Sequence, residues 1–179
     1  MNPASVGKKF IATPSAFEGL VIIEKTSFRD ERGVLLKHFQ SDFEYFLGTA
    51  IDDIYTTTSH RNVVRGCHHQ TDPYGQIKIV TCLRGSFWDV AIDLREQSAT
   101  YKKVFTYHLD ESSDISLLIP RGFSHGTYST SDCTTMLSAC AGKYLPEAES
   151  GILMSSLDLG FYTASAIVSK KDSLLSIFN

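Results

Sequence analysis

The chain lacks a basic excess, a long apolar run, a C-x-x-C pair and any low-complexity tract, and each absence closes a class of function. Lys and Arg number 17 against 20 Asp and Glu, a formal net charge of −3, whereas nucleic-acid binders carry a surplus of positive charge. No apolar run approaches the ~18 residues that a membrane span needs. The segment from Met1 to Lys9 has no apolar core of the signal-peptide kind. Cys67, Cys82, Cys133 and Cys140 sit inside apolar, strand-like segments, where a free thiol behaves as a small hydrophobe. Reduced cysteines and the missing leader point to a cytoplasmic protein. Nothing resembles a linker or a repeat, and 179 residues suit one buried core better than two. Residues 1–179 therefore read as one domain.

What is present is strand. Residues 76–82 and 86–93 are rich in β-branched and aromatic side chains, and Leu83-Arg84-Gly85 between them reads as the turn of a hairpin. Alternation puts Lys78, Val80 and Cys82 on one face of the first and Ile77, Ile79 and Thr81 on the other. In the second, Trp88, Val90 and Ile92 oppose Phe87, Asp89, Ala91 and Asp93. Further strands are expected at 19–23, 34–39, 62–70, 103–108, 116–119, 126–129 and 134–141. Short helices are expected at 42–47 and within 165–177. Many short strands with frequent turns predict an all-β sandwich or barrel of the jelly-roll kind, with few helices.

Two segments carry polar groups that stability alone does not call for. The first is Arg65-Gly66-Cys67-His68-His69-Gln70, followed by Lys78, and the second is Ile119-Pro120-Arg121-Gly122-Phe123-Ser124-His125-Gly126. Neighbouring side chains on a strand face opposite ways, so His68 and His69 are not expected to share a pocket. Arg65 and His68 would also face apart in a regular strand, but a bulge at Gly66 would re-aim one of them. Lys78 stands in an otherwise apolar strand, where a buried, unpaired ammonium is costly; its alternative is an outward lysine with a snorkelling stem.

Two chemistries can use such a set. A metal centre of the cupin type fits Pro120-x-Gly122-x-x-His125, yet only His68, Asp72 and His125 can be gathered, and a metal needs three or four convergent ligands. Proton transfer beside a ketone needs a base near neutral pKa, which His supplies. It also needs a positive donor for the enolate oxygen, which Lys78 supplies. A carboxylate on the far ring nitrogen would hold the tautomer, but local pattern does not assign it. No metal and no other cofactor is expected.

Five motifs together carry a resemblance. Phe28-Arg29-Asp30-Glu31-Arg32-Gly33, Val64 to Gln70, Gln76-Ile77-Lys78-Ile79-Val80, Asp89 to Arg95 and Ile119 to Gly126 resemble, in order, the dTDP-4-dehydrorhamnose 3,5-epimerase family. The likeness runs from about Phe28 to Asp172. It implies a metal-free, cupin-type jelly-roll dimer that inverts carbons beside the ketone of a nucleotide-linked 4-keto-6-deoxy sugar, as in surface-polysaccharide and O-antigen synthesis. By position it implies His68 as base and Asp172, in Ser169-Lys170-Lys171-Asp172, as its carboxylate. Lys78 and His125 would line the pocket near the ketone oxygen. Arg65 and Lys171 would meet the diphosphate, and Phe28 and Arg32 would reach the nucleotide from the neighbouring subunit.

Two positions depart from that family. Ser138 stands where the family places the tyrosine that reprotonates one carbon, and a serine hydroxyl is shorter and far less acidic than a phenol. Tyr144, Tyr128 or water is then the replacement acid, and inversion at one carbon, carbon 5 first, is expected, on a 4-keto-6-deoxy or 3,6-dideoxy sugar. Lys37 stands where a glutamate accepts from the thymine ring, and an ammonium only donates. CDP or GDP is therefore expected ahead of dTDP. The rivals are a metal-dependent cupin oxygenase or isomerase, and a nucleotide-sugar-binding homologue without catalysis.

Overall fold

Alternating apolar and polar residues sort this chain into strands with two usable faces, and turn residues divide the strands into two sheets. The computed structural model describes residues 10–39 and 47–179. The strands are β1 (Phe10–Pro14), β2 (Val21–Lys25), β3 (Ser27–Asp30), β4 (Gly33–Leu36), β5 (Asp53–Ser59), β6 (Val64–Gln70), β7 (Ile77–Arg84), β8 (Ser86–Asp93), β9 (Val104–Asp110), β10 (Ile115–Ile119), β11 (Phe123–Ser129), β12 (Thr134–Ala141) and β13 (Glu149–Gly151). Six form a sheet in the order β1-β2-β10-β7-β12-β5, five form a second in the order β13-β6-β11-β8-β9, and β3-β4 is a separate hairpin. The pairings within the sheets are antiparallel. This is the expected cupin-type jelly roll. Among the described residues no helix is long and apolar enough to cross a membrane.

The inner face of β7 shows how the site grows out of the core. Val80 and Cys82 pack with Leu20, Phe87, Leu109, Leu117 and Phe123 between the sheets, and Lys78 continues the same row into a cavity. The face assignment made from alternation holds on β8 as well. Phe87 and Ala91 join the inner core, while Val90 and Ile92 pack outward under the C-terminal segment with Met154 and Leu157.

Several expectations need correction. β7 and β8 do not form a hairpin: each belongs to a different sheet, and the chain crosses the sandwich at Gly85. Both strands have an inward apolar row, so facing each other across the core buries more than lying side by side. The expected helix at 42–47 falls outside the described residues except for Leu47. The helix expected within residues 165–177 is only the 3-10 turn Asp172–Leu174. Cys133 is exposed in a turn, not in an apolar strand. β1, β3, β5 and β13 were missed, each being short, polar or at an edge.

Lys25 is a charged group enclosed on β2, with its Nζ 3.5 Å from His38 Nδ1. Burial pushes its pKa from 10.5 down to about 8, against the pull of Asp114 and Cys82. Between those values the unfolded chain holds a proton that the folded chain has lost, so stability rises with pH across that window. At 1.36 kcal/mol per unit, Lys25→Met should stabilise the protein at pH 7 by up to about 3 kcal/mol. It should also flatten the climb in denaturation midpoint from pH 8 to 10.5. The same climb in both proteins would show that Lys25 is not its source.

Candidate active site

An antiparallel pair keeps strict alternation unless one strand carries an extra residue, and β6 carries one. His68 pairs with His125 and Arg65 with Thr127, so three steps on β6 match two on β11. The extra residue is at Gly66, whose φ is +88°. A Cβ there would lie 2.7 Å from the His125 carbonyl oxygen and 2.9 Å from the His68 nitrogen, so only glycine fits. The bulge turns Arg65 and His68 to the same side, as the sequence allowed.

That side is a cavity between the sheets. It has two lobes of about 470 and 300 Å³. Tyr55, His68 and Lys78 line both lobes. Arg65, His125, Thr57, Ser169 and Asp172 extend the larger, and Asp53, Gln76, Cys140, Tyr144 and Glu149 extend the smaller. His69 turns to Ser124 Oγ at 3.2 Å. It stays out of the larger lobe but forms part of the rim of the smaller, so the separation of the two histidines holds only in part.

His68 is held by carboxylates on both sides. Its Nε2 lies 3.0 Å from Asp172 Oδ1, and Asp172 Oδ2 accepts the Gly66 N–H at 3.1 Å. One buried carboxylate therefore fixes both the ring and the bulge beneath it. With the proton of the neutral ring on Nε2, facing Asp172, Nδ1 keeps its lone pair. Nδ1 is enclosed, makes no hydrogen bond among the described residues, and lies 3.3 Å from Glu149 Oε1. A ring that gained a proton at Nδ1 would be an imidazolium between two carboxylates.

The remaining polar groups surround this pair. Burial pushes the Lys78 pKa below its ordinary value, while Cys140, Glu149 and Asp89 pull the other way. Its ammonium has no hydrogen bond or ion pair among the described residues, which leaves it free for an oxyanion. His125 Nε2 lies 2.7 Å from Asp89 Oδ2, both enclosed. Arg65 is braced by Ser59 Oγ at 2.9 Å and the Thr58 carbonyl at 3.1 Å. Glu149 accepts from Lys171 Nζ at 2.7 Å and from the Tyr144 hydroxyl at 2.5 Å. Burial works against its charge, but those two donors hold its carboxyl below the usual range.

Other sequence candidates lie elsewhere. Ser138 is 2% exposed and absent from the walls of both lobes, because its short side chain ends beneath Tyr55. Tyr128 is buried, its hydroxyl bonded to Asn62 and Thr163. Phe28 and Arg32 lie on the β3-β4 hairpin in a separate surface groove, Phe28 56% exposed and Arg32 paired with Asp30. Asp72 lines a different groove from His68 and His125. Among the described residues no three His, Cys, Asp or Glu side chains converge as metal ligands. Sequence reasoning missed Tyr55, Asp89 and Glu149 as site residues. Only Asp89 gave a signal, as a carboxylate on the same strand face as Phe87 and Ala91.

Fold and site together define a cupin-type jelly roll with an ionisable cavity fit for an anionic ligand. Residues 14–179 match the family model described as dTDP-4-dehydrorhamnose 3,5-epimerase, and the chain belongs to that family. It is an isomerase, an epimerase acting on carbohydrates. The dTDP-4-dehydrorhamnose 3,5-epimerase of Escherichia coli (strain K12) is 34% identical over 164 residues, covering 88% of this chain and 89% of its own. The dTDP-4-dehydrorhamnose 3-epimerase of Streptomyces niveus is 34% identical over 164 residues, covering 89% and 79%. The crystal structure of dTDP-6-deoxy-D-glucose-3,5-epimerase from Legionella pneumophila Philadelphia 1, in complex with dTDP-4-keto-L-rhamnose, superposes with a TM-score of 0.87 at 28% identity, covering 94% and 93%. The expectation of CDP or GDP over dTDP is overturned. All three relatives are named for dTDP-linked or dTDP-derived sugars, and Lys37, on which it rested, is exposed and lies off the cavity.

The bulge gives a direct test of this geometry. Gly66→Ala should cost about 2–3 kcal/mol, in the range of strained backbone positions, and should abolish turnover by turning His68 away from Asp172. A Gly66→Ala protein with normal melting and normal activity would show that the bulge does not position the histidine.

Proposed function

We propose that this protein epimerises a dTDP-linked 4-keto-6-deoxy sugar by removing a proton from a carbon next to the ketone. The observation that carries the reading is His68 set between Asp172 and Glu149, facing a cavity into which the unpaired Lys78 ammonium also points. Asp172 orients the ring, and His68 is the base. As the C–H bond breaks, its electron pair moves to the ketone oxygen, and Lys78 faces that developing charge. His125, oriented by Asp89, supplies a second polar contact on the cavity wall. Arg65 and Lys171 are the cations for the diphosphate, with Arg65 already braced by Ser59 and Thr58.

The expectation of inversion at one carbon follows from Ser138, which leaves β12 without a phenol, and that of carbon 5 from a 3,6-dideoxy substrate, which has no stereocentre at carbon 3. A phenol from β5 lines the cavity, so Ser138 does not by itself restrict the reaction to one carbon. We also propose a cytoplasmic homodimer serving deoxysugar synthesis. The exposed Phe28, Val34 and Leu35 of the β3-β4 hairpin support the dimer, since a second copy would cover them.

Three measurements test the reading. In heavy water the protein should place deuterium beside the ketone of a dTDP-linked 4-keto-6-deoxy sugar. His68→Asn should lower that uptake by about 10²–10⁴-fold, the usual worth of a general base, and Asp172→Asn by a smaller factor. A His68→Asn protein with near-normal uptake would remove His68 from the role, and a wild-type protein that binds without exchange would be the non-catalytic homologue. Second, dTDP at about 100 times its Kd should stabilise the fold by about 2.7 kcal/mol; a larger shift with CDP or GDP would reverse the nucleotide assignment. Third, turnover should survive exhaustive chelation, and its loss together with a bound transition metal would favour the metal-dependent cupin.

A further inference from the structure

Inversion of a carbon needs a proton taken from one face of the sugar and returned to the other, so a base on one wall of a cavity implies an acid on the facing wall. His68 belongs to the sheet containing β6. The facing sheet contributes Lys78 from β7 and, from β5, Tyr55. Alternation on β5 turns Asp53, Tyr55, Thr57 and Ser59 inward, as the lining of the two lobes and the Arg65–Ser59 contact require. Tyr55 is directly opposite Ser138, and Ser138 is opposite Val80. The next inward row is Asp53, Cys140 and Lys78, so phenol and ammonium stand on adjacent rows of one sheet.

The small side chain at 138 makes room for this arrangement. The Tyr55 phenol lies against the Ser138 hydroxyl and the Cys140 thiol, in space that a large residue at 138 would claim. The other two phenols considered do not reach both lobes: Tyr128 is buried and lines neither, and Tyr144, which donates to Glu149, lines only the smaller. Tyr55, 39% exposed, is the one among them that reaches both lobes. Burial pushes its hydroxyl up to about 12, so it holds its proton throughout the physiological range.

We propose that Tyr55 is the catalytic acid of this protein, returning a proton to the carbon on the face opposite His68. The assignment rests on the epimerase reading above. His68 takes the proton from carbon, and the electron pair is held as the enolate opposite Lys78. When the enolate collapses, carbon takes the proton of the Tyr55 hydroxyl and leaves a phenolate. Solvent then reprotonates the phenolate and accepts the proton from the imidazolium. One C–H bond breaks, one forms, and nothing is oxidised or reduced.

The test separates proton removal from inversion. Tyr55→Phe keeps the ring and loses the donor. Its deuterium uptake with retained configuration should continue, while stereochemical inversion falls by about 10²–10⁴-fold, with the dTDP-induced shift in Tm unchanged. Replacing Tyr55 by 3-fluorotyrosine, which lowers the phenol pKa without changing the shape, should move the alkaline limb of the inversion profile to lower pH. A Tyr55→Phe protein that inverts within a few-fold of wild type, or that loses uptake and inversion in equal measure, overturns the assignment and leaves the epimerase reading standing. A wild-type protein that takes up no deuterium overturns both.

Discussion

The site depends on one carboxylate that serves two groups. Asp172 accepts the Gly66 N–H with one oxygen and faces His68 Nε2 with the other. The first bond satisfies a backbone donor that the bulge removes from the ladder with β11, which would otherwise be a buried, unpaired group. The second sets the ring. Because both come from one side chain, the bulge and the imidazole cannot be positioned independently. Asp172 itself is held by its N–H to Ser169 Oγ at 3.0 Å, so the C-terminal segment closes against β6 and locks the geometry from outside the sheets.

From that point the cavity follows from the inward rows of the sandwich. A jelly roll with uniformly apolar inner faces would close along its whole length. Here the rows are apolar where Val80, Cys82, Phe87 and Leu117 meet and become polar towards the end marked by Lys78, Asp53 and His68. Desolvating Lys78 without a hydrogen-bonding partner costs stability. The surrounding core offsets that cost, and the ammonium stays poorly solvated, where its field on a nearby anion is strongest.

Much of this was legible in the residues, and the failures have physical causes. Alternation assigned the two faces of β7 and β8, and Gly66 announced a break in a strand that otherwise reads as regular. The β7-β8 hairpin failed because a turn at Gly85 looks the same whether the strands it joins pair or face each other across a core. β5 was missed because Thr56, Thr57 and Thr58 offer no apolar alternation at a sheet edge. With β5 went Tyr55, which stands directly opposite Ser138. Glu149 was illegible because it depends on a three-residue edge strand, Glu149–Gly151, whose pairing with β6 is entirely non-local.

Ser138 and Tyr55 also show why a site is better read across a sheet than along a strand. Judged on β12 alone, serine at 138 is a lost acid. In the register of the sheet, 138 and 55 are directly opposed, and side chains opposed on one face stand only ~5 Å apart at Cβ. A phenol carried by either strand can then reach the same volume, but two large side chains cannot both occupy it. The two positions are therefore coupled by space, and the chemistry of one has no meaning without the other.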